Sequence, residues 1–275
     1  MPSVFGVLNY GEMKSGMGKI IAFSNQKGGV GKTTTCVNMA AYLAALGKKV
    51  LLIDVDAQGN ATTGLGYDKS KLEKSAYNVI IEGDDVTDVM LNTAIDGLYL
   101  LPSGIDLAGA EVELVQLKNR DKRLAEAVEK VRDKFDYIVI DCPPSLGLTT
   151  INALAAADEV IIPIQSEYYA LEGLSQLVNT IRLVTRLNSK LKIGGVVITM
   201  YDGRALVSRQ ISEEIRKFFG SRVFSTVIPR NIRVSEAPSH GVPVMLHDPK
   251  CAGAKAYLAI TQEFLEKEEG KHEGQ

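Results

Sequence analysis

Short apolar runs alternate with longer amphipathic stretches along most of this chain of 275 residues. The runs are rich in β-branched residues and nearly continuous, which is typical of parallel strands that are buried on both faces. This pattern predicts strands at residues 20–24, 50–55, 99–101, 137–141, 160–164, 195–199 and 223–228. The longer stretches between them predict helices at residues 34–46, 107–117, 121–134, 169–187, 208–219 and 253–269.

The order of these elements predicts the fold class. Strands alternate with helices, without an internal repeat or a Pro/Ser-rich linker, which favours one α/β domain with a doubly wound, mostly parallel sheet flanked by helices. We place this domain at residues 19–268, after a disordered N-terminal extension at 1–18 and before a flexible tail at 269–275. Ligands of such sheets bind at the carboxyl ends of the strands.

A glycine-rich segment, KGGVGKTT at residues 27–34, lies between the first predicted strand and the first predicted helix. Glycines allow successive backbone N–H groups to point at one anion, and the start of the helix adds its positive end. In such a P-loop, Lys32 would reach the β- and γ-phosphates and the Thr33 hydroxyl would join Mg²⁺. The usual spacing requires glycine at position 26, where this chain has Gln26, and an additional lysine, Lys27, stands at the mouth of the loop. We predict nucleotide contacts from Gly28, Gly29, Val30, Gly31, Lys32, Thr33 and Thr34, whereas Lys27 has no obvious phosphate of its own to hold.

Acidic residues follow two other predicted strands. Asp54 and Asp56 end the second strand on the same side, where one carboxylate suits the Mg²⁺ shell and the other suits a water that attacks the γ-phosphate. A pair of solvated acids at the start of a loop is the alternative. Asp141 ends the apolar run YIVID, the pattern of a Walker B strand whose carboxylate holds Mg²⁺. Cys142 follows it, and we expect core packing there because no second cysteine or histidine is near in the sequence.

Composition and charge narrow the function classes. The three cysteines are far apart and lack C-x-x-C spacing, which disfavours a disulfide framework or a cysteine zinc site and fits a reducing cytoplasm. No apolar run approaches the ~18 residues of a membrane span.

The charges are distributed unevenly along the chain. The net charge is only −2, but residues 180–233 hold eleven Lys/Arg against three acids, a net charge of +8 that leaves −10 for the rest. Such asymmetry is typical of a surface that contacts nucleic-acid phosphates, although a solvated charged face is the alternative.

Five segments together resemble the ParA/MinD family of deviant Walker A ATPases, and within it the chromosome-partitioning ParA/Soj proteins. They are KGGVGKTTT at 27–35, DVDAQGN at 54–60, DCPPS at 141–145, TMYDGR at 199–204 and IPRNIRVSEAPSHG at 228–241. The resemblance runs over residues 20–265. It implies a P-loop ATPase that hydrolyses ATP slowly with Mg²⁺ and forms a homodimer around two ATP molecules. Lys27 would then cross to the nucleotide of the second subunit.

The resemblance also implies roles for single residues. Lys27, Lys32 and Asp56 would be catalytic, with Asp56 positioning the hydrolytic water, and Thr33, Asp54 and Asp141 would surround the metal. The adenine pocket would comprise Met200, Pro229, Arg230 and Asn231. Non-specific DNA contacts would come from Arg204, Arg209 and Arg233. A ParB-like centromere-binding protein would stimulate hydrolysis, a replication initiator is a further partner typical of the family, and the protein would work on the cytoplasmic nucleoid.

Other functions stay open at this point. A MinD-like membrane-cycling ATPase needs a basic amphipathic C-terminal helix, whereas residues 263–275 contain five glutamates and two lysines. A superfamily member that bridges a metal cluster would need paired cysteines. A binding module without hydrolysis has the same motifs, and the cargo could be a chromosome or a plasmid.

Overall fold

The computed structural model describes residues 17–167 and 170–273, without the side chains of residues 170–175 and 271–273. The predicted N-terminal extension therefore lies, through residue 16, outside the described residues, and so does the predicted helix start at residue 169.

Seven strands form one sheet within the described residues, in the order β3-β4-β2-β5-β1-β6-β7. The strands are β1 Lys19–Phe23, β2 Val50–Asp54, β3 Leu91–Asn92, β4 Leu98–Leu101, β5 Tyr137–Asp141, β6 Glu159–Gln165 and β7 Lys192–Thr199. Neighbouring strands are parallel except for the antiparallel pair β3–β4. The predicted doubly wound, mostly parallel sheet is confirmed.

Helices cover both faces of this sheet. Within the described residues they are α1 Lys32–Ala45, α2 Asn60–Gly64, α3 Val86–Val89, α4 Ala110–Leu114, α5 Arg123–Glu129, α6 Leu148–Ala156, α7 Ala170–Val184, α8 Leu206–Phe219, α9 Ile232–Glu236, α10 Val244–His247 and α11 Ala252–Glu273. Alternate residues of β1 show the two layers. Ile20 and Ala22 pack in the cluster that includes α5 to α8, whereas Ile21 and Phe23 pack in the cluster that includes α1 and α11.

The predicted strand at residues 223–228 is wrong. Val223 makes an isolated parallel bridge to Val196 of β7, and Pro229, just after the segment, makes another to Tyr201, just after β7. The Glu263 carboxylate of α11 accepts hydrogen bonds from the backbone N–H groups of Ser225 (2.7 Å) and Thr226 (3.1 Å). These two N–H groups are therefore not available for hydrogen bonds to a neighbouring strand.

Several predicted helices differ in extent. The stretch 107–117 divides into a 3₁₀ turn at Ile105–Ala108 followed by the short α4, and 121–134 divides into α5 and a 3₁₀ turn at Arg132–Lys134. Helix α6 was not predicted. Helix α11 continues to Glu273, four residues beyond the predicted end of this helix at residue 269.

Candidate nucleotide-binding site

The glycine-rich loop connects the carboxyl end of β1 to the start of α1. Gly29 and Gly31 have φ of +73° and +83°, a left-handed conformation that strains any residue with a side chain. The Asn25 amide fixes the start of the loop, because its Nδ2 donates to the Pro163 carbonyl (2.8 Å) and its Oδ1 accepts from the Lys27 N–H (3.1 Å). The Asn25 side chain therefore ties the start of the loop to β6.

Lys32, the first residue of α1, is buried within this loop. Its Nζ donates to the Lys27 carbonyl oxygen at 3.2 Å. Burial lowers the pKa of Lys32, and the nearby Asp141 carboxyl is the largest of the charges that oppose the shift. The ammonium group lies under the loop with one protein acceptor, which leaves donors for an anion held by the glycines.

Two carboxyl groups lie side by side beneath the loop, because Asp54 and Asp141 are register partners on the adjacent strands β2 and β5. Asp54 Oδ2 accepts from the Thr62 N–H (2.9 Å) and from Thr62 Oγ1 (2.8 Å). Burial raises the pKa of Asp54 to about 6 although these bonds oppose it. Neither oxygen of Asp141 has a hydrogen-bond partner among the described residues. Burial, and then the neighbouring Asp54, raise its pKa well above the usual range, while the Thr33 hydroxyl and Lys32 oppose the shift.

An unpaired buried carboxylate next to a second one is costly unless a cation neutralises it. Mg²⁺ takes one or two carboxylates and completes its shell with water and phosphate oxygens. No group of three or more His, Cys, Asp or Glu side chains in the described part of the chain could hold a metal alone. The donor set therefore fits a magnesium ion that arrives with a phosphate ligand.

The backbone N–H of Asp56 donates to Asp54 Oδ1 at 3.2 Å, and Asp56 lines the larger of the cavities described below. Its Oδ1 accepts from the Gln58 N–H at 2.9 Å, and its carbonyl oxygen accepts from Ser103 Oγ at 2.6 Å. The Ser103 N–H in turn donates to Thr62 Oγ1 at 2.8 Å. Sequence reasoning missed Thr62, which lies on α2, and Ser103, which follows β4, because neither belongs to a motif of its own.

Two adjoining cavities lie at this edge of the sheet, of about 410 Å³ and about 170 Å³. The larger one is lined by eight of the predicted site residues: Gly28, Gly29, Gly31, Lys32, Thr33, Thr34, Asp56 and Met200. The smaller one is lined by Met200, Pro229, Arg230 and Asn231, the whole of the predicted adenine pocket. Gly31, Thr34 and Met200 belong to both cavities, so the two form a continuous site. Its dimensions suit phosphates in the larger part and a planar base in the smaller.

Some predicted residues do not line either cavity. Val30 is buried, and its carbonyl oxygen accepts from Thr199 Oγ1 at 2.8 Å, which ties the loop to β7. Lys27 points its Nζ to Glu167 Oε2 of the same chain at 3.3 Å. Lys27 therefore makes an ion pair with a residue just beyond β6 and does not line either cavity of its own chain.

The predicted DNA-contacting arginines are all exposed. The Arg204 side chain is 94% exposed and has Asp202 beside it at 3.2 Å. Arg209 lies on α8. Arg233 is shared between Glu236 (2.9 Å) and Asp248 (3.7 Å).

Arg216 also belongs to the basic segment 180–233, but its side chain is not available for contact with a DNA phosphate. Its guanidinium donates to the carbonyl oxygens of Phe224 and Ser225, both at 3.2 Å. The net charge of the segment therefore overstates the number of cations that could meet a phosphate backbone.

Cys36 and Cys142 are buried in the core, and Cys142 packs there as expected. Among the described residues, no helix has the length and apolarity that crossing a membrane requires.

Comparison with known proteins places this site in context. A protein-family model described as an AAA domain matches residues 18–193. The sporulation initiation inhibitor protein Soj of Bacillus subtilis is 56% identical over 248 residues, which cover 90% of this chain and 98% of that protein. The chromosome partitioning protein ParA of Myxococcus xanthus is 48% identical over 270 residues, with 97% and 95% covered. The structure of cobyrinic acid a,c-diamide synthase from Mycobacterium smegmatis with bound ADP and magnesium superposes with a TM-score of 0.80 at 37% identity, covering 90% and 94%.

Proposed function

We propose a cellular role for this chain on one premise: it belongs to the ParA/Soj family of chromosome-partitioning P-loop ATPases. In this role the protein binds ATP with Mg²⁺ and dimerises around two ATP molecules. The dimer binds nucleoid DNA without sequence preference and releases it after hydrolysis, which a ParB-like partner stimulates. The observation that carries the proposal is the buried Asp141 carboxyl, which lies beneath the glycine loop and has no hydrogen-bond partner among the described residues. This arrangement is costly in the absence of a ligand and is satisfied by a magnesium-bound phosphate.

The nucleotide would be held by the loop backbone and by Lys32, with its base between Met200 and the segment 229–231. Bound Mg²⁺ would supply positive charge to the phosphate oxygens, held by Thr33, Asp54 and Asp141. Asp56 would orient the attacking water, because its carboxylate faces the cavity and retains a free oxygen beyond the bond from Gln58.

Lys27 would act on the nucleotide of the second subunit. Its ammonium group lies at the rim of the loop, and the Glu167 carboxylate that pairs with it is half exposed. A cation at this position stabilises the charge that develops during phosphoryl transfer, as an arginine finger does. The dimer would therefore be required for hydrolysis as well as for DNA binding.

DNA would be bound through phosphate contacts from Arg204, Arg209 and Arg233. One subunit offers few such contacts, and affinity rises steeply with the number of phosphates neutralised, so a dimer binds far more tightly than a monomer. Among the described residues, Arg233 must first give up both Glu236 and Asp248, whereas Arg204 must give up Asp202 alone. We therefore assign Arg204 the larger contribution.

The test is co-sedimentation with non-specific DNA in the presence of ATP, ADP or no nucleotide. Wild type should sediment with DNA only with ATP, and the salt dependence should be steep. Arg204→Ala and Arg233→Ala should weaken binding, the former more. Lys130→Ala is the matched control, because Lys130 is an exposed cation paired with Asp85 on a different part of the surface. If the same amount of protein sediments with DNA in all three nucleotide states, the proposal that ATP controls DNA binding is wrong.

A further inference from the structure

Ser103 is a fully buried serine that follows β4 at the edge of the sheet where the nucleotide site lies. Strand β4 pairs in parallel with β2, and Leu101 is the register partner of Ile53. Two residues beyond that pair, Ser103 lies beside the loop that leaves β2 and carries Asp56. The strand pairing thus brings a hydroxyl from outside the sequence motifs next to the residue proposed to orient the attacking water.

The Ser103 hydroxyl bonds to the backbone carbonyl of Asp56. Ser103 Oγ donates to this carbonyl oxygen at 2.6 Å, and the same oxygen accepts from the Gly59 N–H at 2.8 Å. The Gln58 N–H donates to Asp56 Oδ1 at 2.9 Å. Gly59 has φ of +62°, and a Cβ added there would lie 3.5 Å from the Ser103 carbonyl oxygen. Ser103 therefore holds the tight turn 56–59 from outside.

Asp56 depends on this turn because it lies beyond the strand ladder. Asp54 is held by its place in β2, opposite Asp141 of β5. The Val55 N–H donates to the Asp141 carbonyl oxygen at 3.1 Å, which extends the ladder by one residue. Asp56 comes after this bond, so a rotation of its peptide group would move its carboxylate. A displacement of about 1 Å in a reacting group can lower a rate about a hundredfold.

The backbone of Ser103 has a second contact, which leads to the metal site. Its N–H donates to Thr62 Oγ1 at 2.8 Å, and Thr62 Oγ1 donates to Asp54 Oδ2 at 2.8 Å. Ser103→Ala keeps this N–H and removes only the hydroxyl. The substitution therefore separates the contact with Asp56 from the contact with Thr62.

We propose that Ser103 is a positioning residue for hydrolysis: its buried hydroxyl holds the peptide group of Asp56 so that the Asp56 carboxylate stays directed at the attacking water. The positioning role rests on the proposed function, because it assumes that Asp56 orients this water. A buried serine that merely completes the hydrogen bonds of a turn would contribute to stability alone. Only a positioning residue changes kcat while ATP binding is kept.

The first test is steady-state ATP hydrolysis by the full-length Ser103→Ala variant with Mg²⁺. We expect kcat to fall about tenfold, because the turn keeps the bond from Gly59 but loses the bond that holds it from outside. KM for ATP and the Kd of a non-hydrolysable ATP analogue should stay within about twofold of wild type, because Ser103 lines neither cavity of the site.

Tyr42→Phe is the matched control for the loss of a buried hydroxyl. The Tyr42 hydroxyl also donates to a backbone carbonyl, that of Ala254 at 2.9 Å, and neither residue lines a cavity of the site. Both variants should lower the midpoint of chemical denaturation to a similar, small extent. Tyr42→Phe should nevertheless keep kcat within about twofold of wild type.

The second test needs no catalysis. Hydrogen–deuterium exchange without nucleotide, measured by mass spectrometry, reports on the Gln58 and Gly59 N–H groups whose bonds to Asp56 close the turn. Ser103→Ala should speed their exchange about tenfold, whereas Tyr42→Phe should leave it unchanged.

Asp56→Asn distinguishes the positioning role from the proposed function. If Asp56→Asn hydrolyses ATP as fast as wild type, Asp56 does not orient the water, and both that step and the role of Ser103 are wrong. If Asp56→Asn is slow but Ser103→Ala keeps the wild-type kcat, the step stands and the role of Ser103 alone is wrong. An equal fall in kcat in Tyr42→Phe, a tenfold rise in KM in Ser103→Ala, or unchanged exchange at the turn would also overturn the role of Ser103.

Discussion

The buried Asp54 carboxyl should make the ligand-free protein less stable than it would be with a neutral side chain. Burial raises its pKa from 3.8 to about 6, so the folded state holds a proton that the unfolded state has released. Stability from this group is therefore present at low pH and is lost as pH rises from about 4 to about 6. At pH 7 the ionised Asp54 side chain lowers the free energy of unfolding by about 3 kcal/mol, because its pKa differs by about 2 between the folded and unfolded states.

Asp54→Asn removes this charge and keeps an oxygen that can accept from Thr62. Without nucleotide at pH 7, the variant should therefore unfold about 6–12 °C above wild type, since 1 kcal/mol corresponds to about 2–4 °C in a domain of this size. At pH 5 the difference in unfolding temperature between variant and wild type should shrink to about half, because wild-type Asp54 is then largely protonated in the folded state. With Mg²⁺ and a non-hydrolysable ATP analogue, wild type should gain more stability than the variant, which has lost a metal-site carboxylate.

The assay is thermal unfolding followed by circular dichroism at pH 5 and pH 7, with and without the analogue. Asp68→Asn is the matched control, because Asp68 is exposed and its pKa is lowered by hydrogen bonds from Ser70, so its neutralisation should not stabilise the fold. An Asp54→Asn variant that unfolds at or below the wild-type temperature at pH 7, or a gap that is equal at both pH values, would refute the reasoning.

Three further outcomes follow from individual contacts. Lys27→Ala should bind ATP like wild type but give no ATP-dependent dimer by size-exclusion light scattering; a normal dimer would remove the trans role of Lys27. Thr62→Val should raise the Mg²⁺ concentration needed for ATP-analogue binding about tenfold, because it removes a hydrogen bond that holds Asp54 ionised, whereas Thr62→Ser should restore it. Arg216→Ala should destabilise the fold by about 1–3 kcal/mol through two lost hydrogen bonds, while Arg204→Ala, at an exposed side chain, should change stability by less than about 0.5 kcal/mol in chemical denaturation.

The sequence predicted the parts of the site that depend on local order. A strand, a glycine turn and a helix follow one another directly at residues 19–45, so the loop could be located from spacing alone. The sequence also placed Asp54 and Asp141 at the carboxyl ends of two parallel strands. Their pairing as register partners required the strand order, which spacing does not give.

The errors have a common physical cause, which is competition from residues distant in the chain. The segment 223–228 has β-branched residues, yet Glu263 takes two of its N–H groups. Helix α6 begins after two prolines and a glycine, which argue against a helix, but Glu111 accepts from its first free N–H groups. Both acids lie more than thirty residues away from the groups they bind, beyond the reach of periodicity or propensity.

Lys27 appeared superfluous in the sequence because its own loop already contains Lys32. In the folded chain it pairs with Glu167, and both side chains are partly exposed, at 35% and 49%. Such a pair is worth less than about 1 kcal/mol. In the proposed dimer, a phosphate at the closed interface would offer charge-assisted hydrogen bonds of about 1.5–3 kcal/mol, so transfer of the ammonium group from Glu167 to the second subunit's nucleotide would be favourable. The weak pair keeps Lys27 beside the loop without trapping it there, which is what the role proposed for Lys27 in the dimer requires.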